Sequence, residues 1–468
     1  MIKFRKVKKI HMVGIGGTGM CGIAEVLWNS GYKVTGSDSK LTEVTQRLGK
    51  LGIRVFEGHR AENAQGSDVV VTSSAVSNGN PEVVYARENK IPVIRRSEML
   101  GELMRMKFGI GVAGTHGKTT TTSMIGQVLS EAGLDPTIVV GGRVLGWESN
   151  SKLGQGEYLV AEADEFDRSF LRLTPTLAVI TTLEADHLDY YKDLGEIKEA
   201  FLEFVNKVPF YGSVILCLDE EPLQKLMPQI QKGILTYGVL PQPDLQAVEL
   251  SFKESRSRFK VKYKEKVLGE LELEVPGLHN VKNSLAAVAV GLELDIPWEK
   301  IKNALDNFQG VSRRLELKGL VKGIMVMDDY AHHPTEIEVS LKALRDGWKK
   351  RIITVFQPHL YSRTRDFYQE FGRSLFASDV LVITSIYPAR EEPIPGVTSE
   401  LITRAVKEYG HKEVHYIPEK EDVIPFLLDT VKGNDLVITM GAGDVYKVGE
   451  ELVSALSSGQ AGAGKEKA

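Results

Sequence analysis

Cysteine is nearly absent from this 468-residue chain: Cys21 and Cys217 stand far apart and in no C-x-x-C spacing. That excludes a disulfide framework and a cysteine-based zinc site, and it fits a reducing cytoplasm. No apolar run approaches the ~18 residues that a membrane span needs, so no membrane insertion is expected. The basic start, Lys3 to Lys9, leads into no uninterrupted apolar segment, so no secretory signal is expected either. An excess of positive charge is also missing. The formal net charge is −4, which excludes a general electrostatic draw to nucleic acid. Hydrophobic residues make up 42% and charged residues 26%, as in ordinary globular proteins, and the length suggests about three domains.

What is present begins with Gly111-Val112-Ala113-Gly114-Thr115-His116-Gly117-Lys118-Thr119-Thr120. An apolar run ending in Ile110 reads as a buried strand before it. Met124, Ile125, Val128 and Leu129 fall on one face of a helix after it. Strand, glycine loop, Lys-Thr and helix is the order of a phosphate-binding loop, in which backbone N–H groups and a helix N-terminus face phosphate oxygens. Lys118 would reach the terminal phosphates and the Thr119 hydroxyl would hold Mg²⁺. Val112 occupies the place of the first glycine in the strict G-x-x-x-x-G-K-[ST] pattern. The alternative is a Gly/Thr-rich turn before a helix.

Upstream, Lys9 to Val13 reads as a strand entering Gly14-Ile15-Gly16-Gly17-Thr18-Gly19, a match to G-x-G-x-x-G. A helix and a second strand follow, and Asp38 stands at that strand's end, where a ribose hydroxyl would be held. The pattern indicates a diphosphate and a ribose at a helix N-terminus, and does not specify NAD. The run Asp68 to Thr72 reads as a buried strand leading to a polar loop with Ser73 and Ser74, at the kind of carboxyl end where open parallel sheets bind ligands. Further on, two buried strands end in Glu162-Ala163-Asp164-Glu165 and in Asp186-His187-Leu188-Asp189. Beside a phosphate loop these suit Mg²⁺–phosphate chemistry; each alone also fits helix capping. Period-two alternation over 212–275 predicts an antiparallel ribbon. A last parallel α/β pattern places polar clusters after Asp329, Phe356 and Met440.

Taken in order, these motifs resemble the Mur ligases of peptidoglycan synthesis, and within them the branch that adds L-alanine to UDP-N-acetylmuramate. The resemblance also rests on His279-Asn280-x-x-Asn283, Arg313-Arg314-Leu315-Glu316, Asp329-Tyr330-Ala331-His332-His333-Pro334, and Gln357-Pro358-His359 with Arg363-Thr364. It implies three α/β domains: a Rossmann-like UDP-sugar domain over 1–107, a central P-loop ATPase-like domain over 108–312, and a Rossmann-like amino-acid domain over 313–456. A disordered tail is expected over 457–468. It implies ATP and Mg²⁺, and an acyl phosphate on the lactyl carboxylate that the L-alanine amine attacks. Gly14, Gly16, Gly17, Thr18, Gly19, Asp38 and Ser73 would bind the UDP-sugar. Gly114, Thr115, His116, Gly117, Lys118, Thr119 and Thr120, with His279, Asn280 and an arginine of the Arg313–Arg314 pair, would bind ATP. Thr119 and Glu162 would hold one Mg²⁺ and His187 a second. Tyr330, His332, His359 and Arg363 would form the alanine pocket. Other members carry a carbamylated lysine past the motif histidine; here that region reads Glu199-Ala200-Phe201-Leu202, as in the alanine-adding branch. Leu360 stands where some members have arginine.

Overall fold

The computed structural model describes residues 4, 6–73, 75–142, 144–145, 151–186, 190–389 and 391–458, and of Thr18 the backbone alone. Among them the strands form sheets of five, ten and six. The chain divides into two compact units. The first is Met1–Glu249 with Phe259–Glu272 and Val281–Gln309; the second is Leu250–Arg258 with Leu273–Asn280 and Gly310–Ala468.

The first sheet holds β1 (Lys9–Val13), β2 (Lys33–Asp38), β3 (Arg54–Glu57), β4 (Val69–Thr72) and β5 (Val93–Arg95). They run parallel in the order β3-β2-β1-β4-β5. The order reverses at β1, so the glycine turn after Val13 opens where such sheets form a crevice.

The second sheet comprises β6 (Phe108–Ala113), β7 (Thr137–Val139), β8 (Ser151–Lys152), β9 (Tyr158–Glu162), β10 (Leu177–Ile180), β11 (Ser213–Cys217), β12 (Gly233–Gly238), β13 (Leu245–Lys253), β14 (Arg256–Tyr263) and β15 (Lys266–Leu273). Its order is β15-β14-β13-β12-β11-β10-β6-β9-β7-β8. β6 is central, with β9 and β10 parallel on either side, so the ends of all three meet at one edge. Met124, Ile125, Val128 and Leu129 of the helix Lys118–Glu131 are fully buried, as their spacing predicts. The ribbon expected over 212–275 is narrower. β11 and β12 are parallel strands inside the sheet, and only β13–β15 lie at its edge. Val214, Ile215 and Leu216 are buried one after another, because a parallel strand is covered on both faces.

In the second unit β16 (Glu316–Val321), β17 (Ile324–Asp329), β18 (Ile352–Phe356), β19 (Val380–Ile383), β20 (Val414–Tyr416) and β21 (Leu436–Met440) lie in the order β16-β17-β21-β18-β19-β20. Ile352, Phe356, Leu381, Leu436 and Ile438 fill one face. Ile353, Val355, Val382 and Val437 fill the other. That alternation is the two-residue period of a strand packed on both sides. The last helix, Tyr446–Ser457, takes in the first residue of the expected tail, and residues 459–468 lie outside the described part. Among the described residues no helix is long and apolar enough to cross a membrane. Cys21 and Cys217 are buried and form no disulfide.

Candidate functional site

The first glycine turn is shaped by the ends of β1 and β2. Gly14 has φ +76°, and a Cβ there would lie 2.8 Å from Ser73 Oγ, so the turn and the loop after β4 approach closely. The Ser37 carbonyl accepts the N–H groups of Gly14 at 2.8 Å and Ile15 at 3.0 Å. Gly16 N–H donates to Asp38 Oδ2 at 2.8 Å. One oxygen of Asp38, expected at a ribose, thus supports the turn itself. Gly17 caps the helix Thr18–Asn29. Gly19 lies against the Arg96 guanidinium, since a Cβ on it would stand 2.9 Å from Nη1.

The second loop packs against the residues after β10. Gly114 has φ +137°, and a Cβ there would sit 2.1 Å from Thr181 Oγ1, which no other residue type could relieve. Thr115 N–H donates to the Thr182 carbonyl at 3.1 Å, and His116 N–H to Thr182 Oγ1 at 2.8 Å. His116 Nε2 stands 3.6 Å from Glu184. Gly117, with φ +82°, opens the helix that carries Lys118, Thr119 and Thr120. Lys118 Nζ donates to the Gly114 carbonyl at 2.7 Å and to both oxygens of Glu165. Burial opposes the charge on Lys118, but Glu165 and Asp164 outweigh it and raise its pKa. Glu162, at the end of β9, accepts the Gly141 N–H at 2.7 Å. Burial raises its pKa, against the Gly141 N–H and a hydrogen bond from Thr119. Thr119 and Glu162 therefore meet, and both offer oxygen ligands of the kind a hard cation takes. His187 lies outside the described residues.

In the second unit the residues expected around an amino acid gather at the ends of β17 and β18. His332 Nδ1 lies 2.9 Å from the Tyr330 carbonyl and 3.3 Å from Glu336. Its ring meets those of Tyr330 and His359 edge-on at 5.2 and 5.6 Å. Burial pushes the His332 pKa down to about 3; Glu336 works against this, and the charge on Arg363 works with it. Arg363 is buried on the helix Tyr361–Ser374. Leu360 has φ +69°, and its N–H and carbonyl are held by Tyr387 and Thr364. The two linker arginines both lie over the Tyr330 ring, Arg313 at 5.0 Å and Arg314 at 5.4 Å, and differ in their ion partners. Arg313 is bound to Asp328 at 2.9 Å and to the carbonyls of Gly441 and Gly443, while Arg314 reaches Glu336 at 3.4 Å. Asn280 donates its side-chain amide to the Pro276 carbonyl, and His279 lies beside Gly277.

Three family models match in succession: the Mur ligase family catalytic domain over residues 9–108, the Mur ligase middle domain over 112–291, and the Mur ligase glutamate ligase domain over 313–443. A UDP-N-acetylmuramate–L-alanine ligase of Desulfatibacillum aliphaticivorans is 55% identical over 97% of this chain and 100% of its own. The chain belongs to the Mur ligase family. Among solved Mur ligases, the UDP-N-acetylmuramate-alanine ligase of Thermotoga maritima superposes with a TM-score of 0.80 at 31% identity, covering 96% of this chain and 99% of its own. The murein peptide ligase of Psychrobacter arcticus gives 0.70 at 27%, covering 96% and 98%.

Several residues of this Mur ligase site carry no distinctive mark in the sequence. Glu165 closes the run Glu162-Ala163-Asp164-Glu165, yet nothing in the pattern pairs it with Lys118. Glu336, which touches both His332 and Arg314, reads as an ordinary acid in the first turn of the helix Pro334–Gly347. Thr181 and Thr182 read as the end of a strand.

Proposed function

We propose that the chain joins L-alanine to the lactyl carboxylate of UDP-N-acetylmuramate at the expense of ATP, in the cytoplasmic synthesis of the peptidoglycan precursor. The observation that carries this reading is full-length identity of 55% to a ligase of that name. Two buried cysteines that form no disulfide are consistent with a reducing compartment.

The first glycine turn, Gly14 to Gly19, takes the UDP diphosphate at the N-terminus of the helix Thr18–Asn29. The second takes the ATP phosphates. Lys118 faces the charge that spreads over the transferring phosphoryl group. Thr119 and Glu162 would hold Mg²⁺, and His187 a second ion; bound there, the metal would neutralise phosphate charge. Arg314 serves the γ-phosphate, because Arg313 is committed within its own unit. The carboxylate becomes an acyl phosphate and ADP leaves. The alanine amine then attacks the acyl carbon, and phosphate departs from the tetrahedral intermediate. Arg363 grips the alanine carboxylate, while neutral His332, with His359 and Tyr330, walls the pocket.

Phosphate release with ATP, Mg²⁺ and UDP-N-acetylmuramate, scanned over amino acids and a murein tripeptide, tests the reading. Release with free L-alanine is expected. Release with the tripeptide alone would assign the chain to recycling of murein peptides instead.

A further inference from the structure

Beneath the first glycine turn lies a second cluster of ionisable groups, away from the phosphate loop. Glu82, in the first turn of the helix Pro81–Glu88, has a fully buried side chain. Its carboxylate accepts from Ser37 Oγ at 2.5 Å and from Asn63 Nδ2 at 2.6 Å. His11 Nε2 stands 3.6 Å away and His59 Nδ1 3.4 Å away. His59 also meets Ser37 Oγ at 3.0 Å, and His11 Nδ1 meets Thr35 Oγ1 at 2.9 Å. One carboxylate therefore ties together β1, β2, the loop after β3 and the helix after β4.

A buried ion contributes little net stability compared with an apolar side chain of its size, so its location is informative. The β1–β2 ladder ends at the pair Val13–Ser37. Beyond that pair the glycine turn hangs on the Ser37 carbonyl, which receives Gly14 and Ile15, and on Asp38, which receives Gly16. Ser37 is thus clamped by Glu82 at its hydroxyl while its carbonyl holds the turn.

We infer that Glu82 is a positioning residue for the UDP-bearing substrate: it fixes Ser37, and the Ser37 carbonyl, by taking the N–H groups of Gly14 and Ile15, sets the path of the glycine turn into the N-terminus of the helix Thr18–Asn29. The inference rests on the reading that this turn takes the substrate diphosphate. Burial raises the Glu82 pKa, but the contacts from His11, Ser37 and Asn63 prevail and hold it down at about 2. The carboxylate accordingly stays an acceptor at any working pH, and the Ser37 hydroxyl keeps one direction.

Glu82→Gln retains the shape and removes the charge; Ser37→Ala removes the clamp and keeps the carbonyl. Steady-state kinetics with each substrate varied in turn should show the KM for UDP-N-acetylmuramate raised about tenfold or more. kcat and the KM values for ATP and L-alanine should stay within about twofold, the signature of lost ground-state binding. Folded variants with a lower melting temperature and an unchanged KM would reduce Glu82 to a stabilising residue and overturn the inference, as would an equal loss for all three substrates. If Glu82→Gln does not fold, Ser37→Ala decides by the same criterion. Calorimetric titration with UDP separates the two readings. Wild-type protein that binds UDP but forms no product sinks the reaction; the role of Glu82 is then judged by whether the variants bind UDP more weakly. Wild-type protein that binds no UDP overturns both.

Discussion

Lys118 and Glu165 form a buried bidentate pair, with Nζ 2.8 Å from one carboxylate oxygen and 2.9 Å from the other. The lysine that should meet ATP phosphate is already matched by a protein anion. Removing one member of such a pair leaves the other uncompensated, at about 3–5 kcal/mol. Glu165→Gln should therefore lower the melting temperature of the nucleotide-free protein by several degrees. Saturating MgATP should recover most of that loss, because phosphate replaces the missing carboxylate and bound ligand stabilises the fold it selects. Thermal unfolding with and without nucleotide checks this; a loss that MgATP leaves unchanged would mean Lys118 does not face the phosphates.

The same pair separates structure from catalysis. Lys118→Ala should reduce turnover by more than about 10²-fold, the scale of one lost electrostatic contact to a transition state. It should also destabilise the fold, by stranding Glu165. Adding Glu165→Ala should restore the melting temperature and leave the activity lost. A double variant that regains turnover would place the essential phosphate contact elsewhere.

Arg313 and Arg314 adjoin in sequence and differ in duty. Arg313 compensates Asp328, whose side chain is fully buried, and binds two carbonyls. Arg313→Ala should cost about 3–5 kcal/mol of stability by leaving Asp328 unpaired. Arg314 is partly exposed, pairs with Glu336 at 3.4 Å and lowers the pKa of the buried Asp329, so Arg314→Ala should cost some stability, but clearly less than Arg313→Ala, while losing kcat. Denaturant titration alongside phosphate-release kinetics distinguishes the two; equal stability losses would contradict the assignment.

The pH dependence follows from His332. Its folded pKa of about 3 lies below the ordinary histidine value, so between about 3 and 6.5 the unfolded chain binds a proton that the native chain refuses. This contribution is fully present above pH 6.5 and is lost as pH falls toward 3. Asp329 opposes it. Burial raises its pKa to about 6, despite Arg314 and two backbone N–H donors, so its contribution is lost as pH rises from about 4 to 6. By NMR the His332 ring should not titrate between pH 5 and 8. A midpoint near 6.5 would show the ring solvated.

The sequence exposes the skeleton of this protein because glycine loops and strand ends are local signals. Gly14, Gly114 and Lys118 are legible from a strand before and a helix after. The parallel strand Ser213–Cys217 inside a supposed ribbon is less so, since a short apolar run has the same appearance in either setting. Pairings across the chain leave no local trace at all. Glu165 lies 47 residues from Lys118 and Glu82 lies 45 from Ser37, and only folding makes them neighbours. An acid in the first turn of a helix, as Glu82 and Glu336 are, reads as a response to the helix dipole, and its tertiary partner stays hidden.

Arg363 is expected to hold the alanine carboxylate. A solvated arginine near a strand end is the ordinary expectation, but here the residue is 8% exposed and lies close enough to His332 to depress its pKa. A buried guanidinium beside a neutral imidazole suits a carboxylate ligand, which it can hold through two parallel hydrogen bonds. Lysine there would keep the charge and lose the planar fork. Arg363→Lys should therefore raise the KM for L-alanine strongly, with little change for ATP or UDP-N-acetylmuramate. Truncating one partner of a buried charged pair costs about 2–5 kcal/mol, so Arg363→Ala should lose about 30-fold or more in kcat/KM for alanine. Acyl-phosphate formation, trapped by borohydride reduction without alanine, should persist in both variants, because it precedes alanine capture. A loss shared equally among the three substrates would assign Arg363 to the architecture of its domain, and no loss would remove it from the pocket altogether.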